Sequence, residues 1–187
     1  MLIDNKRFTD NKSLYEWFTE NTNAKGRLDV VTGFFSLYGL QQYVSGIHAD
    51  NKVFRLVIGD LTDTQTGEHR IVHLLNESGL KEGFEMINLV KEVIAFLKKD
   101  IVEIRTLRPE FCHAKTYIYH HAENGSLNYY TIGSANLTKN GLGIASAPSA
   151  NIELNYIRTG NDSDFKEAAQ WFEALWKHAK EQIEIKA

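Results

Sequence analysis

Cys112-His113-Ala114-Lys115-Thr116-Tyr117-Ile118-Tyr119 reads as a strand of an interior sheet with one misfit. Residues two apart on a strand face the same side, so His113 and Lys115 project together, roughly 6 to 7 Å apart. Ala114, Thr116 and Ile118 face the other way. An imidazole and an ammonium on one face of a central strand are costly unless an anion accompanies them. A phosphate group would resolve that cost.

The segments on either side fit the same chemistry. The next strand, Leu127 to Gly133, runs into Ser134-Ala135-Asn136-Leu137-Thr138. Ser134 and Asn136 are again two apart, and their hydroxyl and amide donate hydrogen bonds to phosphate oxygens without adding charge. Gly133 lets the backbone pass close to a ligand. Farther on, Asn151-Ile152-Glu153-Leu154 opens a strand running to Arg158. Glu153 is placed to orient a histidine by accepting its Nδ1 proton.

The rest of the chain alternates strand-like and helix-like patterns. Helices are expected at 11–21, 38–47, 67–76 and 162–182, the last with Phe165, Ala168, Phe172, Leu175, Trp176 and Ala179 on one stripe and an N-cap within Asn161–Asp164. A further helix carries Phe84, Ile87, Val90, Ile94 and Leu97 at spacings of three and four. Strands are expected at 28–35, 53–58 and 101–107. The N-terminal half is thus βαβα, and the C-terminal half is clustered strands closed by a helix. The expected fold class is α/β, a mixed β-sheet flanked by helices on both faces, in a single domain over 1–187.

Bulk composition narrows the function classes. A net charge of -3 gives no whole-protein attraction to nucleic acid, so such binding needs a local basic patch. The single cysteine, Cys112, excludes an intrachain disulfide. With no apolar leader at residues 1–7 and no run long enough to cross a bilayer, a cytoplasmic protein that does not enter membranes is expected.

The ordered set His113-x-Lys115, Gly133-Ser134-x-Asn136 and Asn151-x-Glu153 resembles the phospholipase D superfamily. It is most similar to the nuclease-like branch found alone, in restriction endonucleases or at the N-terminus of helicases. Val30-Val31-Thr32-Gly33-Phe34-Phe35-Ser36 with Gly39-Leu40 resembles the first strand and helix of that branch. Ser134 to Thr138 with Gly141-Leu142 resembles its Gly-Ser-x-Asn-Leu-Thr segment, and Phe172 to Trp176 its closing helix.

The resemblance implies a phospholipase D-like sandwich and a metal-independent phosphodiesterase or nuclease acting on DNA, with RNA as the other nucleic acid. It implies catalytic residues His113, Lys115, Ser134, Asn136 and Glu153, with no cofactor and no metal. Two His-x-Lys motifs converge on one phosphate in that family. One histidine becomes a phosphohistidine, and the other handles the proton of the leaving oxygen. This chain has one such motif, so the resemblance implies a homodimer with a shared site. A helicase ATPase, attached or separate, is the further expected partner. The alternative is a non-catalytic DNA-binding module of a helicase or restriction protein. The chain departs from the family where His120 stands in place of an aspartate five positions after the lysine.

Other features have plainer readings. A zinc site using His113, His120 and His121 is disfavoured, because His120 faces away and His121 lies roughly 26 Å along an extended strand. Cys112 reads as a buried inert thiol. Lys98, Lys99, Arg105 and Arg108 read as a solvated charged face, with a DNA-backbone track as the functional alternative. Tyr117, Tyr119, Tyr129 and Tyr130 read as core or dimer-interface aromatics.

Overall fold

The computed structural model describes residues 1–8, 12–22, 24–59, 84–107, 112–144 and 150–181. The helix expected at 67–76, Arg108 and both prolines lie outside them. Eight strands form one mixed sheet: β1 (Leu2–Asp4), β2 (Gly26–Thr32), β3 (Lys52–Ile58), β4 (Val102–Thr106), β5 (Thr116–His121), β6 (Tyr129–Gly133), β7 (Leu154–Thr159) and β8 (Lys180–Glu181). Their spatial order is β1-β7-β6-β5-β2-β3-β4-β8. The β2-β3-β4 block is parallel, and every other pairing is antiparallel. Strands β2 and β3 are buried along most of their length, as suits parallel strands covered on both faces.

Helices α1 (Leu14–Asn21), α2 (Leu37–Gly46) and α3 (Phe84–Leu97) cover one face. Their core is strongly aromatic: Phe18 lies 5.0 to 5.8 Å, centroid to centroid, from the rings of Tyr43, Tyr117 and Tyr129. The tyrosines singled out in the sequence are thus core residues. The other face carries α4 (Ser163–His178), whose Phe165, Phe172 and Trp176 pack on Val31, Val57 and Ile118. The expected sandwich, with helices on both faces, is the observed one.

Local signals explain the helix starts. Ser13 and Glu16 form a reciprocal capping box on α1, so that helix begins at Leu14 and not at Asn11. Asp162 caps α4 by accepting the Phe165 amide. At the start of α2, a Cβ on Gly39 would come within 2.6 Å of the Thr138 Cα. Only glycine allows α2 to lie against the 137–138 backbone, next to the cleft described below.

Three expectations are corrected, and one strand that the sequence did not suggest is added. On α3 the buried residues are Leu89, Val93, Phe96 and Leu97, while Ile87 and Ile94 are exposed. The helix is apolar around most of its circumference, so two offset stripes fit the spacing and packing selects one. Helix α4 stops at His178, and Lys180–Glu181 pairs with Arg105 and Thr106 as an edge strand. Leu2–Asp4, too short to show a period, is a strand against β7. The strand expected at Cys112–His120 begins only at Thr116.

Candidate active site

The ends of β2, β6 and the segments leading into β5 and β7 meet around one cleft of about 670 Å³. His113, Lys115, Ser134, Asn136 and Glu153 all line it. Three separate stretches of chain therefore bring the five candidate residues together.

His113 and Lys115 do not reach the cleft by strand alternation, because residues 112–115 precede β5 as irregular backbone. Lys115 turns back so that its Nζ donates to the His113 carbonyl at 2.5 Å. The ammonium is buried while the His113 side chain is exposed at the mouth. Burial lowers the Lys115 pKa from its ordinary value, with the Glu153 charge and Cys112 acting against the shift. A partly desolvated ammonium beside an exposed imidazole is poised to gain strongly from an arriving anion.

Asn136 is held by β2. Its Oδ1 accepts the backbone N–H groups of Gly33 and Phe34 at 3.1 and 3.3 Å. Those two donors fix the carbonyl side of the amide and leave the NH₂ as the group that addresses the cleft. Thr32 Oγ1 accepts the Leu137 amide, and Ser36 N–H donates to the Leu137 carbonyl, locking the Gly33 turn to the Asn136 segment. A Cβ on Gly33 would lie 3.2 Å from Asn136 Oδ1 and 3.6 Å from Lys115 Nζ, so the bare backbone lets both groups approach. Ser134 Oγ accepts the Leu154 amide at 3.1 Å, which leaves its hydroxyl hydrogen to donate elsewhere.

Glu153 precedes β7, and its charge acts on Lys115 and on buried Tyr117, whose pKa is raised chiefly by burial. Asn5, which drew no notice in the sequence, holds this carboxylate's backbone. Its Nδ2 donates to the carbonyls of Asn140 and Asn151 at 3.0 and 2.9 Å, and its Oδ1 accepts the Glu153 amide at 2.9 Å. One buried amide thus ties together the loops that frame the cleft. A lone Asn in an N-terminal segment carries no sequence signal for contacts more than 130 residues away. Asn5→Ala is expected to cost about 2 kcal/mol by leaving buried groups unpaired. An unchanged denaturant midpoint would contradict that role.

His120, at the place where the family carries aspartate, lies outside the cleft. Its Nε2 lies 2.9 Å from Asp29 Oδ2 and 3.1 Å from Arg27 Nη2. Asp29 is buried and also takes a two-pronged contact from Arg55, at 2.7 and 2.9 Å, and Arg55 reaches on to Glu173 of α4. Burial works to raise the Asp29 pKa. The hydrogen bonds from His120 and Arg55 and the charges of Arg27 and Arg55 overcome it and hold the carboxyl below its ordinary value. His120 on β5 thus pairs with a buried carboxylate of the adjacent strand β2, away from the cleft.

The remaining sequence candidates are placed elsewhere. Cys112 is buried, and burial raises its thiol pKa. Lys98 and Lys99 precede β4, at the end of the parallel block opposite Thr32 and the cleft, and Lys99 pairs with Asp50. Arg105 stacks on Trp176 at 4.3 Å and donates to its carbonyl. These residues do not form a basic track to the cleft. Among the described residues, no group of three or more His, Cys, Asp or Glu side chains is placed to hold a metal ion. No helix among them is long and apolar enough to cross a membrane.

Comparisons with known proteins agree with this fold. A phospholipase D family member, Nuc from Salmonella typhimurium, superposes with a TM-score of 0.59 at 12% identity, covering 97% of this chain and 96% of that one. NucT from Helicobacter pylori superposes with a TM-score of 0.54 at 10% identity, covering 90% and 91%. At such identities these likenesses establish the fold. No curated protein sequence matches the chain. The sequence profile described as "Cardiolipin synthase, PLD-like domain" matches residues 20–176, from α1 to the Trp176 turn of α4. With most of its length matched, including every candidate catalytic residue, the chain belongs to the phospholipase D-like domain family.

Proposed function

We propose that the protein is a metal-independent phosphodiesterase that hydrolyses nucleic acid, DNA in the first place, through a phosphohistidine in a site completed by a second copy of the chain. Family membership supports a phosphodiesterase-type hydrolase. The observation that carries the reading is the meeting of His113, Lys115, Ser134, Asn136 and Glu153 in one cleft.

In the first step a neutral His113 ring nitrogen attacks phosphorus. The P–N bond forms as the bond to the leaving oxygen breaks, and that oxygen takes a proton from the imidazolium of the partner's His113. In the second step the same partner imidazole removes a proton from water. The hydroxide attacks phosphorus, the P–N bond breaks and His113 is restored. Lys115, the Asn136 amide and the Ser134 hydroxyl stabilise the charge on the phosphoryl oxygens. The Glu153 charge opposes the lowering of the Lys115 pKa by burial and so favours the protonated ammonium.

A direct test is turnover of a bis-aryl phosphodiester and of DNA in excess EDTA. Activity that persists is the expected result, and complete loss on chelation would overturn the proposal. His120 in place of the usual aspartate motivates a second reading, a non-catalytic DNA-binding module within a helicase or restriction protein. That reading expects binding that weakens steeply with salt and no cleavage.

A further inference from the structure

The five candidate catalytic groups leave two apolar side chains of the cleft without a role. Phe34 and Ile152 both line it, and both stand in water, Phe34 37% and Ile152 63% exposed. They come from separate segments, the turn after β2 and the approach to β7, and neither packs in the cores on the two faces of the sheet. The backbone of Phe34 is clamped on both sides. Its N–H donates to Asn136 Oδ1 at 3.3 Å, and its carbonyl accepts from Thr32 Oγ1 at 2.7 Å. The ring is therefore carried on the same short span of chain that fixes the phosphoryl-binding amide. An aromatic group on a fixed backbone gives up little freedom when a ligand meets it.

Two amides stand in the same cleft. Asn140 and Asn151 line it, and their backbone carbonyls are held by the Asn5 amide at 3.0 and 2.9 Å. Their side-chain amides form no hydrogen bond among the described residues. Each has two donor hydrogens and an acceptor oxygen to offer. The cleft volume of about 670 Å³ is that of a site for a whole small molecule, and more than a phosphate group fills.

We infer that Phe34, Ile152, Asn140 and Asn151 form a nucleobase subsite beside the phosphate position, so that the protein cuts next to an unpaired base. The inference rests on the phosphodiesterase reading above and names the substrate class of that site. The face of the base stacks on the Phe34 ring, Ile152 adds apolar contact, and the two amides address the polar edge. In a duplex the faces of a base are covered by its neighbours and its pairing edge is occupied. A single strand, a loop or a frayed end presents a free base at little cost, whereas a duplex must first be unstacked. The acyl chain of a phospholipid is the poorer occupant, because it would cover both amides without returning a hydrogen bond.

The test compares wild type, Phe34→Ala and Phe34→Trp on a short single-stranded oligodeoxynucleotide, on the same strand in a duplex, and on strands lacking one base beside the scissile phosphate. Wild-type kcat/KM should be at least about 10-fold higher on the single strand than on the duplex, and should fall about 10- to 100-fold when the stacked base is removed. Phe34→Ala should show a similar fall on the intact strand and lose little more on the abasic one, while Phe34→Trp keeps the wild-type ratio. Equal cleavage of strand and duplex would overturn the inference, as would a Phe34→Ala protein that still tells the two strands apart as wild type does. Base removal without effect, together with Phe34-dependent hydrolysis of phosphatidylglycerol vesicles, would assign the pair to acyl chains and also overturn it. Binding supplies a readout that needs no bond cleavage. A fluorescent adenine analogue quenched by stacking, placed at that position, should lose emission on binding to His113→Ala and keep it when Phe34→Ala is added. Phe34-dependent quenching with no turnover by wild type would uphold the subsite and defeat the catalytic reading, and turnover without the quenching would do the reverse.

Discussion

His113→Ala is expected to abolish turnover of a phosphodiester, by roughly four orders of magnitude or more, because the attacking nitrogen is removed. The side chain is exposed, so the change should leave the unfolding midpoint nearly unaltered, within about 0.5 kcal/mol. The loss is then chemical and not a failure to fold. Random mixing with wild type makes the prediction sharper. If both histidines of a dimer act on one phosphorus, only wild-type pairs work, and an equal mixture retains about a quarter of the activity. If each chain acts alone, the mixture retains about half. Full activity in the pure His113→Ala protein would end the catalytic proposal.

The parts of this molecule that were legible in its sequence are those written in local patterns. Helix α4 announced itself through Phe165, Phe172 and Trp176 at helical spacing and an Asp162 cap, and the apolar runs at Leu28 and Val53 marked strands buried on both faces. The order His113, Lys115, Ser134, Asn136, Glu153 was legible as a set. What set their geometry was not, because it is made of long-range contacts. Asn5 holds the Asn140, Asn151 and Glu153 backbones from the other end of the chain, and the Gly33 turn fixes the Asn136 amide from β2. The strand pattern over 112–115 failed for a related reason. Residues 112–115 are irregular backbone in which Lys115 bends back to the His113 carbonyl, so one side chain is buried and the other exposed although both line the cleft. The phase of α3 was ambiguous because Ile87 and Ile94 are as apolar as the residues that pack. His120 stands where the resemblance expects a carboxylate, and its pairing with Asp29 on the neighbouring strand is a contact that no local pattern records.

Lys115→Met should lower turnover by about 100- to 1,000-fold, the loss typical of a donor that stabilises charge developing in the transition state. Stability should move the other way or not at all, since the change replaces a buried ammonium by an apolar chain of similar length. A residue kept only for structure would show the opposite pattern, a fall in stability with turnover spared. The pH dependence separates the two roles further. Burial depresses the Lys115 pKa, so wild-type turnover should fall on the alkaline side before an ordinary lysine would lose its proton. For folding the sign is reversed. Between the folded and unfolded pKa values the unfolded chain binds more protons, and stability therefore rises with pH across that window. Buried Lys52, whose pKa is lowered by burial from 10.5 to about 8, adds to the same rise. Above about pH 10 the trend turns down, because buried Tyr43, Tyr117 and Tyr129 keep protons that they lose in the unfolded chain. Wild type and Lys115→Met compared by chemical denaturation across this range should differ by the Lys115 contribution, with the Lys52 and tyrosine effects common to both. If the two stability profiles run parallel and turnover is unchanged, Lys115 has neither the depressed pKa nor the phosphoryl role assigned to it.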